Sequence, residues 1–399
     1  MKRKMKLNKK RKITCEYFMY FMIFLLGLNF KNKYYYWGMI GFVVSMLWKK
    51  GKLILNQSTC SLFFLGISIM LFSENSFDRL TNFIKPFIYV ACYIVGYNLL
   101  RGCLTNNEKE QKFEQLVVTL ASANFLHLLL NWSINLNSSS RNTVDFWTGN
   151  VLSSTGQMAL ACLVIGSASA YLTGKDNWRY RIISASTLLA VLGYNLILAG
   201  RTIIVMLLLA LSISYIYSLF SGLNTKDKLH KIIKLFLIIL IIGVAYRFNF
   251  FNIKTIFEKS NLYYRFYGNF AQKMGSDSRM GYKMQYLSYM IYFPFGGNHI
   301  LNFTGKYAHD LYLDTYDEAG IFALIAVMFY IIKTSFNLVN VQKSKTLNLQ
   351  VKKMVLCIYI VMYIEFMLEP ILVGVPWVFA NFCCVDGGVS MLIRKEEKG

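Results

Sequence analysis

Residues 202–222 have the sequence TIIVMLLLALSISYIYSLFSG and contain no charged side chain. As an α-helix rising about 1.5 Å per residue, this stretch is long enough to cross the roughly 30 Å hydrocarbon layer of a membrane. Similar apolar runs recur along the 399-residue chain, which is 55% hydrophobic with a mean hydropathy of +0.41. A soluble protein of this length would show polar faces between such runs. The sequence therefore predicts an integral membrane protein.

The predicted architecture is all-α, a polytopic membrane protein with about twelve transmembrane helices in one membrane domain, residues 1–399. A large extracytoplasmic loop, about residues 249–308, separates the ninth helix from the tenth and contains a predicted amphipathic or re-entrant stretch at 280–293. Long ordered loops on a rigid scaffold commonly carry function. The predicted helices cover residues 16–30, 34–48, 53–73, 83–100, 113–133, 154–173, 182–199, 202–222, 232–248, 311–332, 354–372 and 375–393.

The basic residues give the chain a formal charge of +23, and they lie between the apolar runs rather than along one helix face. This distribution predicts topology signals and contacts with anionic membrane lipids, not nucleic-acid binding. Lys and Arg are concentrated in the N-terminal segment and in every second connection after it. By the positive-inside rule, both termini face the cytoplasm and the loop at 249–308 faces the opposite side.

The sequence offers few conventional catalytic motifs. The eight cysteines lie mostly inside apolar runs, without a CxxC pair or metal-ligand spacing. A phosphate-binding GxxxxGK[ST] loop, an HExxH helix and a GxSxG elbow are also missing from the sequence. ATP hydrolysis, serine hydrolysis, a cofactor and a metal are therefore not predicted. One alternative stays open, because helical spacing would place Asp310, Asp314 and Asp317 along one face, where they would either bind a divalent ion or form a solvated surface.

Four residues near the predicted membrane boundary are candidates for chemistry. Arg201, in the short turn before residues 202–222, either meets an anionic group or extends to phospholipid head groups. Arg279 either has a functional role or forms a local ion pair in the long loop. His309, where that loop re-enters the membrane, is a candidate general base or a helix cap. Glu318 is expected to pair with an arginine, because an unpaired carboxylate at a membrane edge is costly.

Taken together, short motifs in this chain resemble the O-antigen ligase/polymerase superfamily, and the nearest branch is the Wzy-type polymerases of capsule, exopolysaccharide and O-antigen repeat units. The resemblance covers about residues 153–320, and the N-terminal third only by its topology. Asp310 and Ala323 depart from the family pattern, which has asparagine and glycine there. The residues that carry the resemblance are Gly200-Arg201-Thr202, Ser278-Arg279, Pro294, Gly296-Gly297, His309-Asp310-x-x-Leu313 and Glu318-x-Gly320.

The resemblance implies a glycosyltransferase of the bacterial cytoplasmic membrane that needs no cofactor. It would move a growing glycan from its polyprenyl diphosphate to the end sugar of another lipid-linked repeat unit, and its implied protein partners are a flippase and a chain-length regulator. Arg201 and Arg279 would stabilise the departing diphosphate. His309, oriented by Asp310, would take the proton of the acceptor hydroxyl. Asp310 and Glu318 would bind substrate.

Two other functions remain open from the sequence. A ligase that moves finished glycan to a different acceptor shares the same motifs, and its products would be single transfers rather than a ladder of repeat units. A lipid-linked oligosaccharide flippase or other transporter would not be an enzyme. Substitution of Arg201 by Lys distinguishes a transporter from the two enzymes. Loss of the bidentate guanidinium should impair catalysis more than transport.

The orientation can be tested by cysteine labelling after the natural cysteines are removed. A cysteine at Ser276 should react with a membrane-impermeant thiol reagent in intact cells, and a cysteine at Asp227 should not. The reverse labelling pattern would contradict the predicted topology and the extracytoplasmic position of the long loop.

Overall fold

The computed structural model describes residues 2–48, 53–73, 84–138, 142–152, 154–174, 178–220, 243–263 and 278–394, together with positions 233, 240 and 241. Almost all of the described secondary structure is helical, which confirms the all-α class. The helices are α1 (Lys2–Gly27), α2 (Tyr34–Trp48), α3 (Gln57–Phe72), α4 (Ile88–Leu100), α5 (Asn106–Ile134), α6 (Ser154–Leu172), α7 (Trp178–Leu198), α8 (Arg201–Phe220), α9 (Ile253–Glu258), α10 (Asn261–Tyr263), α11 (Ser278–Tyr289), α12 (His299–Thr304), α13 (Leu311–Lys343), α14 (Leu349–Leu368), α15 (Ile371–Gly374) and α16 (Pro376–Leu392).

Short elements complete the described chain. The strands β1 (Thr143–Val144) and β2 (Val151–Leu152) form one antiparallel hairpin between α5 and α6. Single 3-10 turns occur at Phe30–Asn32, Lys85–Phe87, Phe250–Asn252 and Met290–Tyr292.

Four helices are long and apolar enough to cross a membrane, and they indicate a membrane protein. Four more apolar helices are shorter, between 10 and 17 residues. The predicted count of about twelve is therefore not confirmed among the described residues, and positions 232, 234–239 and 242 of the predicted helix at 232–248 lie outside them. The four long segments are Asn106–Ile134, Trp178–Leu198, Arg201–Leu219 and Leu311–Lys343.

Several helix boundaries differ from the prediction for local reasons. Helix α5 begins seven residues before the predicted start because the Thr105 hydroxyl accepts a hydrogen bond from Glu108 N (3.2 Å) and caps the helix. Helix α13 continues to Lys343, past the predicted end at residue 332. Helix α4 begins only at Ile88, because Pro86 lies in the preceding 3-10 turn. The predicted stretch at 280–293 is helical as α11 and the turn after it.

One large cluster of buried apolar side chains runs through the bundle. Helix α16 packs most closely on α4, α13 on α3, and α14 on α6. The α4–α16 contact is backbone to backbone, since a Cβ added at Gly96 would overlap Cys384 O and one at Gly387 would overlap Tyr93 O. Small residues at such crossings are typical of helices that associate in membranes.

The contacts of α8 with α14 show which helix ends lie together. Cys357 Sγ lies 3.6 Å from Ala210 O, and Lys353 Nζ lies 3.5 Å from Ser218 Oγ. Residue numbers rise along one helix as they fall along the other, so the two helices are antiparallel. The start of α8 at Arg201 therefore lies at the same end of the bundle as the end of α14 near Glu365, and this end is called the Arg201 end below.

A break in α13 joins the helix to the segment before it. Ala319 and Gly320 have non-helical backbone angles, with φ of +76° at Gly320. Three backbone hydrogen bonds cross the gap, from Gly297 N to Glu318 O (3.2 Å), Asn298 N to Asp317 O (2.7 Å) and Ile321 N to Pro294 O (2.9 Å). The stretch 294–298 thus supplies partners for backbone groups that the break removes from the helix.

Glycine is required on both sides of this junction. A Cβ at Gly320 would lie 2.6 Å from Pro294 O, and one at Gly296 would lie 2.5 Å from Gly320 N. Gly320→Ala should destabilise the protein by roughly 2–4 kcal/mol, because it adds this overlap to the cost of a positive φ. The measurement is the thermal unfolding midpoint of the protein in detergent.

Gly305→Ala is the matched control, because Gly305 also has a positive φ (+64°) but no atom within 4 Å of an added Cβ. It should cost only about 1 kcal/mol. Equal losses for the two variants would mean that the close approach at the junction contributes nothing.

Candidate functional site

The buried carboxylate of Glu369, which follows α14, is the centre of the candidate site. Its residue is 1% exposed. Arg279 Nη2 donates to Glu369 Oε1 (3.3 Å), and Arg279 Nη1 donates to Leu368 O (3.4 Å). His309 Nδ1 lies 3.6 Å from Glu369 Oε2. Two of the three predicted catalytic residues, Arg279 and His309, therefore meet at one carboxylate.

The His309 ring has one buried and one accessible side. Its Nδ1 faces Glu369 at a distance slightly beyond a hydrogen bond, and neither Nδ1 nor Glu369 Oε2 has another hydrogen-bond partner among the described residues. The side chain as a whole is 28% exposed. Since Nδ1 is buried, the exposed part of the ring is its Nε2 side. This arrangement suits a histidine whose inner nitrogen is oriented by a carboxylate while the outer nitrogen exchanges a proton.

Asp310 has a different position from the one predicted. Its Oδ1 accepts hydrogen bonds from Tyr312 N (2.9 Å) and Leu313 N (3.2 Å), so it caps α13. Its Oδ2 lies 3.0 Å from Lys283 Nζ, and Lys283 also donates to Met367 O (2.7 Å). The carboxylate that faces His309 is thus Glu369, not Asp310 as the sequence predicted. The Lys283–Asp310 pair instead fastens α11 to the start of α13.

The backbone at His309 is held in a strained conformation. Its φ is +58°, in the left-handed region that non-glycine residues seldom adopt. The Asp314 carboxylate accepts hydrogen bonds from the N–H groups on both sides, Ala308 N (2.9 Å) and Asp310 N (2.8 Å). These two bonds fix the turn that directs the imidazole toward Glu369. Strain of this kind, held by surrounding bonds, is common at functional sites.

The carboxylates of Asp310, Asp314 and Asp317 do not converge on one point where they could bind an ion. Asp310 and Asp314 have the partners just described. Asp317 accepts hydrogen bonds from Ile300 N (2.8 Å) and Leu301 N (2.9 Å). In the part of the chain that the structure describes, no group of three or more His, Cys, Asp or Glu side chains is arranged to hold a metal ion. Each aspartate serves instead to anchor a backbone turn of the segment 298–314.

Arg201 lies at the first position of α8 and is exposed. The turn before it is formed by Ala199, with φ of +53°, and by Asn195, whose side chain bonds both Gly200 N (2.9 Å) and Gly200 O (3.1 Å). Among the described residues, no ion pair joins Arg201 to a carboxylate, and the ion pairs of Arg279 and His309 are with Glu369. Arg201 lies at the same end of the bundle as Arg279 and His309.

Glu318 lines a cavity of about 550 Å³. Glu318 was expected to pair with an arginine, but among the described residues it forms an ion pair with neither Arg201 nor Arg279. Arg279 contacts Glu369 instead. The Oε2 of Glu318 is buried and has no hydrogen-bond partner among the described residues. Other residues that line the cavity include Lys33, Lys85, Tyr35, Tyr89 and Trp377.

Sequence reasoning missed Glu365 and Glu369. Glu365 is fully buried, and both of its carboxylate oxygens lack hydrogen-bond partners in the described ranges. The signal was present, because two carboxylates four residues apart interrupt an apolar run in the sequence EFMLEP at 365–370. An ionisable residue inside a predicted membrane helix is a candidate functional group by default.

His127 has a structural role. Its Nε2 lies 2.8 Å from Asp145 Oδ2, and both residues are buried. Burial alone would raise the pKa of Asp145, but the hydrogen bond and charge of His127 and the bonds from Thr148 lower it overall. Asn131 Nδ2 also approaches Asp145 (3.4 Å) and donates to Gln157 Oε1 (2.7 Å). This network fixes the β1–β2 hairpin on α5 and α6.

Comparison with known proteins adds no assignment. A scan against models of protein families finds no match, and a search of curated proteins also finds none.

The Arg279–Glu369 contact should contribute measurably to stability. Arg279→Ala removes the cation from a carboxylate that is almost fully buried, and an unsatisfied buried acceptor costs about 1–3 kcal/mol. Glu369→Gln in the same protein removes the carboxylate charge that Arg279 no longer pairs with. It should therefore restore part of the lost free energy of unfolding. The measurement is a double-mutant cycle on thermal unfolding in detergent. Additive effects of the two substitutions would show that the residues do not interact.

Proposed function

We propose that the chain is a polymerase that joins polyprenyl-diphosphate-linked oligosaccharide repeat units by glycosyl transfer on the outer face of the bacterial cytoplasmic membrane. The observation that carries this proposal is the meeting of Arg279 and His309 at the buried carboxylate of Glu369. The transfer requires a cation for the departing diphosphate and a base for the acceptor hydroxyl, and both groups are present within one small region. Both termini are cytoplasmic in this proposal.

Arg279 is suited to the departing diphosphate. In the transfer, the bond between the anomeric carbon and the diphosphate oxygen breaks, and its electron pair remains on that oxygen. The guanidinium stays charged and carries N–H groups beyond the two that contact Glu369 and Leu368, and its side chain is 31% exposed. These free N–H groups can bind phosphate oxygens in a bidentate manner.

His309 is suited to the acceptor. As the acceptor oxygen bonds to the anomeric carbon, its proton passes to the accessible Nε2, and the imidazolium that forms is stabilised by Glu369 next to Nδ1. In this proposal, Glu369 takes the orienting role that the family resemblance implied for Asp310. Arg201, exposed at the same end of the bundle, is the proposed second cation for the lipid diphosphate.

A transporter remains the second candidate because of Glu365. A buried carboxylate without hydrogen-bond partners is typical of proton relays in pumps and transporters. The two functions differ in a direct assay, since glycosyl transfer between purified lipid-linked repeat units in detergent needs no sealed membrane. Ladder formation in detergent supports the polymerase, single transfers to a different acceptor support the ligase, and no transfer supports the transporter.

The catalytic roles predict large losses of polymer. His309→Ala should slow transfer by about 10²–10⁴-fold if His309 is the base. Arg279→Ala and Arg201→Ala should each remove about 3–4 kcal/mol of transition-state stabilisation, by analogy with lost oxyanion donors. The measurement is the rate at which purified protein in detergent extends lipid-linked repeat units into a ladder.

His299→Ala is the matched control for His309→Ala. His299 belongs to the same segment but packs on Phe293, with 5.1 Å between the ring centroids. It should retain transfer at nearly the native rate. Protein abundance in the membrane should be unchanged in the His309→Ala, His299→Ala and Arg201→Ala variants. If His309→Ala still makes long polymer at the native rate, this site assignment is wrong.

A further inference from the structure

Two lysines of the cavity are held against one aromatic ring. Lys33 Nζ lies 5.6 Å and Lys85 Nζ lies 5.5 Å from the centroid of the Tyr35 ring, and Lys33 Nζ also donates to Tyr35 Oη (3.1 Å). The two ammonium groups reach this ring from separate segments, one before α2 and one before α4. Both lysines line the cavity, so that an anion inside it can contact two cationic side chains at once.

The rest of the lining suits a sugar next to that anion. Tyr89 and Trp377 supply aromatic surface, and Glu318 supplies a buried carboxylate oxygen that can accept a hydrogen bond from a hydroxyl. The volume of about 550 Å³ falls within the range typical of small-molecule sites. Lysine binds phosphate as a compact point charge. The combination of two lysines, aromatic rings and one acceptor fits a glycosyl diphosphate.

We infer that this cavity binds the diphosphate and first sugar of the acceptor substrate, with Lys33 and Lys85 on the phosphate oxygens and Glu318 on a sugar hydroxyl. The inference rests on the proposed polymerase function, in which donor and acceptor each carry a lipid diphosphate. One diphosphate departs beside Arg279, so the other needs a separate cationic site.

The cavity and the Glu369 site share one wall. The segment that begins at Glu369 continues through α15 to Val375, and it is closed by the hydrogen bonds Ile371 N to Glu369 O (2.9 Å) and Gly374 N to Pro370 O (2.7 Å). Leu372 and Gly374 line the cavity, while Glu369 at the other end contacts Arg279. Two diphosphates could thus be held on either side of a short, rigid segment.

Inorganic pyrophosphate is the probe for this site. Calorimetric titration is carried out on detergent-solubilised Arg279→Gln protein, so that the binding that remains reports the cavity. In that background, Lys33→Gln together with Lys85→Gln should weaken pyrophosphate binding at least tenfold. Lys31→Gln is the matched control, because Lys31 lies two residues from Lys33 and contacts Phe30 instead of the cavity. It should leave the affinity unchanged.

The transfer assay then assigns the bound diphosphate to the acceptor. With Arg279 intact, Lys33→Gln/Lys85→Gln should raise the KM for the acceptor at least tenfold and change the KM for the donor little. Unchanged pyrophosphate affinity in the lysine variant, or a raised KM for the donor alone, would overturn the inference. Failure of the proposed function is a different result, in which the native protein makes no ladder although pyrophosphate binding still depends on both lysines.

Discussion

The backbone junction between the stretch 294–298 and the break in α13 is the constraint on which the site depends. Its three hydrogen bonds fix the segment 278–310 against the bundle, and therefore fix Arg279 and His309 against Glu369. The same break turns Glu318 toward the cavity. A regular helix through Gly320 would bond its own backbone and leave the segment 294–298 without partners. The proposed site at Glu369 and the position of Glu318 in the cavity thus both depend on the break in α13.

The segment 278–310 also has a small core of its own. Tyr286, Ile300 and Ala308 are fully buried together, apart from the main cluster of the bundle. Tyr286 Oη donates to Lys306 O (3.0 Å), which joins α11 to the chain that leads into α13. This local core and the Lys283–Asp310 pair give the segment a defined shape. Catalytic groups on such a segment are held more precisely than groups on an unsupported loop.

The sequence predicted the all-α class and selected Arg279 and His309 as site residues, but it did not identify Glu369, the carboxylate that both side chains approach. Glu369 is about 90 positions from Arg279, and its pairing depends on how α14 returns to the Arg201 end, which periodicity cannot give. The glycines of the junction were visible as motif residues, yet their mutual contact depends on positive φ values that only the structure supplies. Arg201 was expected in the same cluster, and the structure shows it only at the same end of the bundle.

The break in α13 also decides how deep its acidic residues lie. The part after the break, residues 321–343, contains no Asp or Glu and, at about 1.5 Å per residue, spans roughly 35 Å, which suffices to cross the hydrocarbon layer. The part before the break carries Asp314, Asp317 and Glu318. The apolar part alone is therefore long enough to insert as a membrane helix, whereas the acidic part is held by hydrogen bonds to the segment before it. The break at Ala319 and Gly320 thereby separates the long apolar part of this helix from its acidic residues.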